Sequence, residues 1–97
     1  MAVKVAILRM HIHLPGSDSL KAKRRRLKPL LARLHSEFNI SASEVDMHEK
    51  WADALIGCAL IGTDTGAAQR TMENVSDWLE KHWPDVDLMG EEIEIIQ

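Results

Sequence analysis

The stretch Leu8-Arg9-Met10-His11-Ile12-His13-Leu14-Pro15-Gly16-Ser17-Asp18-Ser19-Leu20 contains the change of period that decides the fold. Up to Leu14 the chain alternates. Leu8, Met10, Ile12 and Leu14 share one face, and Arg9, His11 and His13 the other, which is the period of a strand with one buried side. This first strand reads over residues 2–14. Pro15-Gly16-Ser17-Asp18 breaks it. Leu20, Leu27, Leu31, Leu34 and Phe38 then recur at helical spacing, and Ser19 or Ser17 stands where a helix cap is needed. Pro29 lies inside this helix. It removes the hydrogen bond to the Arg25 carbonyl and predicts a kink, or else a separate short helix ending near Lys28.

Working outward, residues 39–45 read as a second strand and residues 54–62 as a third. The third is apolar on both faces (Leu55, Ile56, Cys58, Ala59, Leu60, Ile61), which places it centrally in a sheet. Thr63-Asp64-Thr65-Gly66 is a turn and cap. A second helix follows, with Ala68, Met72, Val75 and Leu79 as its inner stripe, and Pro84 ends it. Residues 86–96 form a last strand. Its inward parity shifts across Gly90, from Val86 and Leu88 to Ile93 and Ile95, which predicts a bulge. The order is β-α-β-β-α-β. With right-handed crossovers this gives an α+β, ferredoxin-like domain over residues 1–97: a four-stranded antiparallel sheet with both helices on one face. The other sheet face stays open, and from the first strand it carries Val3, Val5, Ile7, Arg9, His11 and His13. A face half apolar and half charged is a candidate homodimer surface.

Charge is distributed unevenly along this frame. Seven of the twelve basic residues fall between Lys21 and Arg33: Lys21, Lys23, Arg24, Arg25, Arg26, Lys28 and Arg33. Residues 1–36 hold nine basic and one acidic residue, +8. Residues 37–97 hold three basic and fourteen acidic, −11, and the chain as a whole is at −3. Lys21, Arg25, Lys28, Arg26 and Arg33 project away from the apolar stripe, and Lys23 and Arg24 flank it. Lys21, Arg25 and Lys28, spaced i, i+4 and i+7, share one exposed face and suit a phosphate backbone. Arginine adds bidentate geometry to a phosphate. The plain alternative is a solvated helix face balanced by the acidic remainder. Four consecutive cations, Lys23 to Arg26, with only Asp18 nearby to offset them, favour anion binding.

Other readings are excluded or weak. A single cysteine, Cys58, leaves no internal disulfide and fits a reducing, cytoplasmic setting. The N-terminus lacks the pattern of a signal peptide, and no apolar stretch approaches the roughly 18–20 residues of a membrane span. No cofactor motif is present. The aromatics are Phe38, Trp51, Trp78 and Trp83, none in a predicted strand, so the sheet lacks a base-stacking platform. Trp51 reads as an anchor where the third strand begins. His11-x-His13 puts two imidazoles on one strand face, but that spacing is a poor metal signature, and Glu92 and Glu94 are expected to pair with Arg9 or a protonated histidine. Glu44, Asp46, Glu49 and Asp53 cluster around Trp51 without a nucleophile beside a base. The fold also hosts acyl-phosphate hydrolysis, but that chemistry needs a Gly-rich loop with an arginine and a water-placing amide, for which Asn39 is the only candidate.

The segment Leu14-Pro15-Gly16-Ser17-Asp18-Ser19-Leu20-Lys21-Ala22-Lys23-Arg24 resembles the signature of the YlxP-like family, a domain of unknown function. Phe38-Asn39-Ile40-Ser41, Glu44-Val45-Asp46, Trp51 with Ala54 and Gly57, and Glu92-Ile93-Glu94-Ile95 match as well. Ala22 stands where an acidic residue is common in the family. The genes of that family tend to lie among those for translation initiation and ribosome maturation. The resemblance implies a ferredoxin-like fold and a role near the small ribosomal subunit, with no catalytic residues to carry over.

The expectation is a non-enzymatic binding protein that contacts ribosomal RNA through Lys21, Lys23, Arg24, Arg25, Arg26, Lys28 and Arg33. The competing expectation is a dimeric regulatory domain that binds a small anionic metabolite.

Overall fold

A computed structural model describes residues 3–97. The elements are β1 (Lys4–His13), α1 (Leu20–Glu37), β2 (Ser41–Asp46), β3 (Asp53–Gly62), α2 (Thr65–His82) and β4 (Asp87–Ile96). The sheet order is β2-β3-β1-β4, and every neighbouring pair is antiparallel. This is the ferredoxin-like α+β fold expected from the order of periods. The part of the expected first strand at Ala2 lies outside the described residues.

Alternation decides which face of β1 is buried. Ala6, Leu8, Met10, Ile12 and Leu14 are fully buried against the helices. From β3, Ala54, Ile56 and Cys58 join them. Burial pushes the Cys58 thiol up to about 12, so it stays a small apolar group and not a nucleophile. Ala68, Met72, Val75 and Leu79 of α2 close the core as their spacing predicts.

The caps explain where the helices begin. The Ser19 side chain accepts from the Ala22 N–H at the start of α1, and Asp64 does the same for the Gly66 N–H at α2. Ser17, the other candidate cap, turns inward instead, and its hydroxyl donates to the Trp51 carbonyl at 2.6 Å. Gly16 sits at φ 79°, the left-handed conformation that the turn between β1 and α1 requires. Pro29 does not divide α1, which runs unbroken from Leu20 to Glu37.

The register against β1 slips between His11 and Ile12, which pair with Gly90 and Leu88. Met89 is the extra residue, at the place where the parity shift in the sequence predicts a bulge. A second irregularity lies between Glu44 and Asp46 on β2 and leaves Val45 beside Gly57. Trp51 is not the packed anchor that the sequence predicts. The residue is 58% exposed, and it is the backbone of the loop that is tied down, through the Ser17 bond and Leu14 N–H to Ala52 O.

Candidate functional site

The basic run lies on α1, on the helical side of the sheet and facing away from it. At about 100° per residue, Arg24, Lys28, Lys21 and Arg25 span an arc of roughly 100° on the outer face. All four are exposed. None has a salt-bridge partner among the described residues. Four unneutralised cations on one arc are what a phosphate backbone would meet.

The other three cations of the run do different work. Arg26 is partly buried and holds two loops together. It donates to Pro15 O at 2.6 Å and to Asp85 O at 2.9 Å, which joins the β1–α1 turn to the segment before β4. Arg33 pairs with Glu37 at 3.2 Å and lies 5.5 Å from the centre of the Trp78 ring. Trp78 in turn packs against Phe38, His82 and Trp83. Arg33 is thus the rim of an aromatic cluster, with half its side chain still in solvent.

Lys23 corrects the sequence reading. It does not flank the buried stripe but sits inside it, at 1% exposure. The buried residues of α1 are Lys23, Leu27, Leu30 and Leu34. The buried face is therefore rotated by about 40° from the stripe centred on Leu20, Leu27, Leu31 and Phe38. Leu20 and Leu31 end up half-buried. The signal was present in the chain: positions 23, 27, 30 and 34 follow the 4-3-4 spacing of a core stripe. Lysine is almost never fully buried without partners, so a count of apolar residues alone leaves position 23 beside the stripe.

The partners come from the β2–β3 connection. The Lys23 ammonium donates to Met47 O at 2.8 Å and Asp53 O at 3.1 Å, and lies 2.8 Å from Glu44 Oε2. Met47 adopts φ 65°, a left-handed conformation unusual for its type, within the turn that brings its carbonyl to the ammonium. Glu44 Oε2 is itself buried, and among the described residues its ion-pair partner is Lys23. A buried ammonium surrounded by one carboxylate and backbone carbonyls has no donor left for an outside ligand. Lys23 is a structural tie between α1 and the sheet, and it leaves the set of residues that can meet an anion.

Beside the free cations runs a groove of about 470 Å³ between α1 and the edge strand β2. Leu27, Leu31 and Ala32 line it, and Arg24, Lys28 and His35 stand around it. His35 Nε2 accepts the Ala42 N–H at 3.1 Å, which covers one outward donor of that edge. At the Pro15-Gly16-Ser17 turn, Ser17 is buried and bonded to Trp51 O, and Ser19 caps the helix.

On the opposite face of the sheet, Arg9 pairs with Glu92 at 3.0 Å and Glu94 at 2.9 Å, as the strand pairing predicts. His11 Nε2 lies 2.9 Å and His13 Nδ1 3.4 Å from Asp53 Oδ1. Asp53 holds both imidazoles, and its carboxyl is displaced below its ordinary value, first by the bond to His11. Among the described residues no group of three or more His, Cys, Asp or Glu has the arrangement of a metal site. The acidic loop residues do not converge either, because Glu44 turns in to Lys23 and Asp53 to the histidines. No helix among the described residues is long and apolar enough to cross a membrane.

The chain is a small ferredoxin-like α+β domain that carries four exposed cations on the outer face of α1. Residues 5–93 match the model of a family described as "Protein of unknown function (DUF503)", and the chain belongs to that family. It is 28% identical over 71 residues to the "Uncharacterized protein YlxP" of Bacillus subtilis (strain 168), an alignment covering 73% of this chain and 76% of that protein. Among solved structures it is similar to the "De novo designed protein Foldit4", with a TM-score of 0.55 and 14% identity over 98% of this chain and 97% of the other. That likeness concerns the fold alone.

Proposed function

We propose that the protein is a non-enzymatic binding module of the cytoplasm that docks on a phosphate-rich surface, the RNA of the small ribosomal subunit, through the outer face of α1. The observation that carries the reading is the arc of Lys21, Arg24, Arg25 and Lys28, exposed and without acidic partners among the described residues. The acidic remainder of the chain keeps non-specific coating of nucleic acid low. The resemblance to the YlxP-like family supports the ribosomal part. With no aromatic residue on the strands, the contact is to phosphates and shape, not to base edges.

Four phosphate contacts set the expected salt dependence. Between about 50 and 200 mM salt, affinity falls by roughly 50- to 150-fold. Cosedimentation with purified small ribosomal subunits across a salt series tests this. Arg25→Glu combined with Lys28→Glu abolishes binding at every salt. Failure of the parent chain to sediment with the subunit at low salt removes the proposal, and so does undiminished binding by the double variant.

A further inference from the structure

We propose that the open face of the sheet is covered by a second copy of this chain, in a two-fold dimer whose axis runs along the strands. This inference is independent of any nucleic-acid binding. It starts from where the exposed apolar side chains lie. Ile61 is 78% exposed, and Val45, Val3 and Ile96 are each about half exposed. Val5 pairs with Ile61 on one side and Ile96 on the other, so one end of the open face is a continuous apolar patch. A groove of about 360 Å³ opens beside it, over Gly57, between Ile7, Val45 and Ala59. The far end is polar, with His11, His13 and Asp53.

The pairing register shows why a second copy fits. A two-fold axis along the strands lays β1 of one copy over β3 of the other and β2 over β4. Each cross-strand pair between β1 and β3 then becomes a pair across the interface as well. Val5 meets Ile61, Ile7 meets Ala59, and His13 meets Asp53. Arg9 comes over Gly57, at the groove that Ile7, Val45 and Ala59 line. Ser41 and Ser43 of β2 come over the row of Glu94 and Glu92 on β4. An axis across the strands does the reverse: it sets the apolar end over the His13–Asp53 end and one Glu92 over another. The first arrangement sets apolar residues over apolar ones and His13 over Asp53, the self-complementarity that an isologous interface needs.

The area is sufficient. Thirty-six strand residues at about 3.3 Å by 4.8 Å each give a flat footprint of roughly 600 Å² per copy, and roughly 1,200 Å² for the pair. That clears the roughly 1,000 Å² expected of a biological interface, and two sheets packed face to face with nearly aligned strands are a standard layer arrangement.

Sedimentation equilibrium tests the proposal. The parent chain is expected to be a dimer at about 50 µM, in the range for an interface of this size. Ile61→Lys, at an exposed position, is expected to be monomeric with an unchanged far-ultraviolet circular dichroism spectrum. A parent chain that is monomeric at that concentration overturns the proposal, and so does an Ile61→Lys chain that remains a dimer. If Ile61→Lys fails to fold, cross-linking decides. Chains carrying Ser43→Cys are mixed with chains carrying Glu92→Cys and treated with a short bismaleimide, to which the buried Cys58 thiol stays inert. Cross-linking between the two kinds of chain supports the strand-parallel axis. A dimer that yields none overturns it.

Discussion

Removing the Lys23 ammonium leaves the Glu44 carboxylate buried without its counter-charge and deprives the Met47 and Asp53 carbonyls of their donor. Breaking a buried pair from one side costs about 3–5 kcal/mol. Lys23→Ala is therefore expected to lower stability by about that much in chemical denaturation. Replacing both partners, Lys23→Met with Glu44→Leu, recovers part of the loss and not all of it, since the two carbonyls still lack a donor. Arg25→Glu with Lys28→Glu changes stability by about 0.5 kcal/mol or less, the range for exposed positions. Seven cations close in sequence thus separate into structural and available ones by their burial. Asp53 carries a pH dependence. Its carboxyl lies below its ordinary value of 3.8, so its bonds to His11 and His13 add stability above that pH, and the contribution is lost as the pH falls through the folded value. In Asp53→Asn, the decline of melting temperature below pH 3.8 is expected to be shallower than in the parent.

At the scale of elements, the informative features are those where a regular period is broken. The change of parity across Gly90 in the sequence corresponds to the β4 bulge, with Met89 as the unpaired residue. The irregularity in β2 has no such signature, because the strand is short, polar and an edge. It follows from tertiary contact: a Cβ on Gly57 would come within 2.9 Å of Val45 Cγ1. Gly57→Ala is accordingly expected to destabilise by about 1–2 kcal/mol, as overpacking does, and Val45→Ala in the same chain to relieve most of it. Thermal melts of the two single variants and the double variant measure that coupling. The helix α1 shows the limit of period counting. Its apolar residues alone point the inner face toward Leu20 and Leu31. The cage of carbonyls in the β2–β3 connection, remote in sequence, turns that face toward Lys23 and Leu30.

The whole molecule is electrically two-sided. The basic α1 packs over the β2 side of the sheet, while α2 carries Glu73, Asp77 and Glu80 and neighbours β4, with Glu91, Glu92 and Glu94. The salt dependence proposed above belongs to this scale, since it counts cations free of acidic partners and not all the cations of the run. A chain in which the acidic strand β4 loses two of its four carboxylates, Glu91→Gln with Glu92→Gln, is expected to bind unrelated RNA more tightly than the parent in filter binding at low salt. In the proposed dimer the two α1 helices point outward on opposite sides, so the arrangement leaves the basic face of each copy uncovered.

What the sequence determined by itself was the order of elements, the inner face of β1, the inner stripe of α2 and the concentration of positive charge on α1. These are local or periodic properties, and a period of two or of 3.6 is carried by the chain itself. The match of Arg9 to Glu92 and Glu94 was also legible, because it needed only the parity of two neighbouring strands. What tertiary structure alone decided was which cations are free. Lys23 and Lys28 are the same residue type on the same helix, and only the carbonyls and carboxylate brought from residues 44–53 make the first a core residue and leave the second a surface charge. The desolvation of a lysine is repaid only where partners from distant segments converge on it, and that convergence is a property of the folded chain.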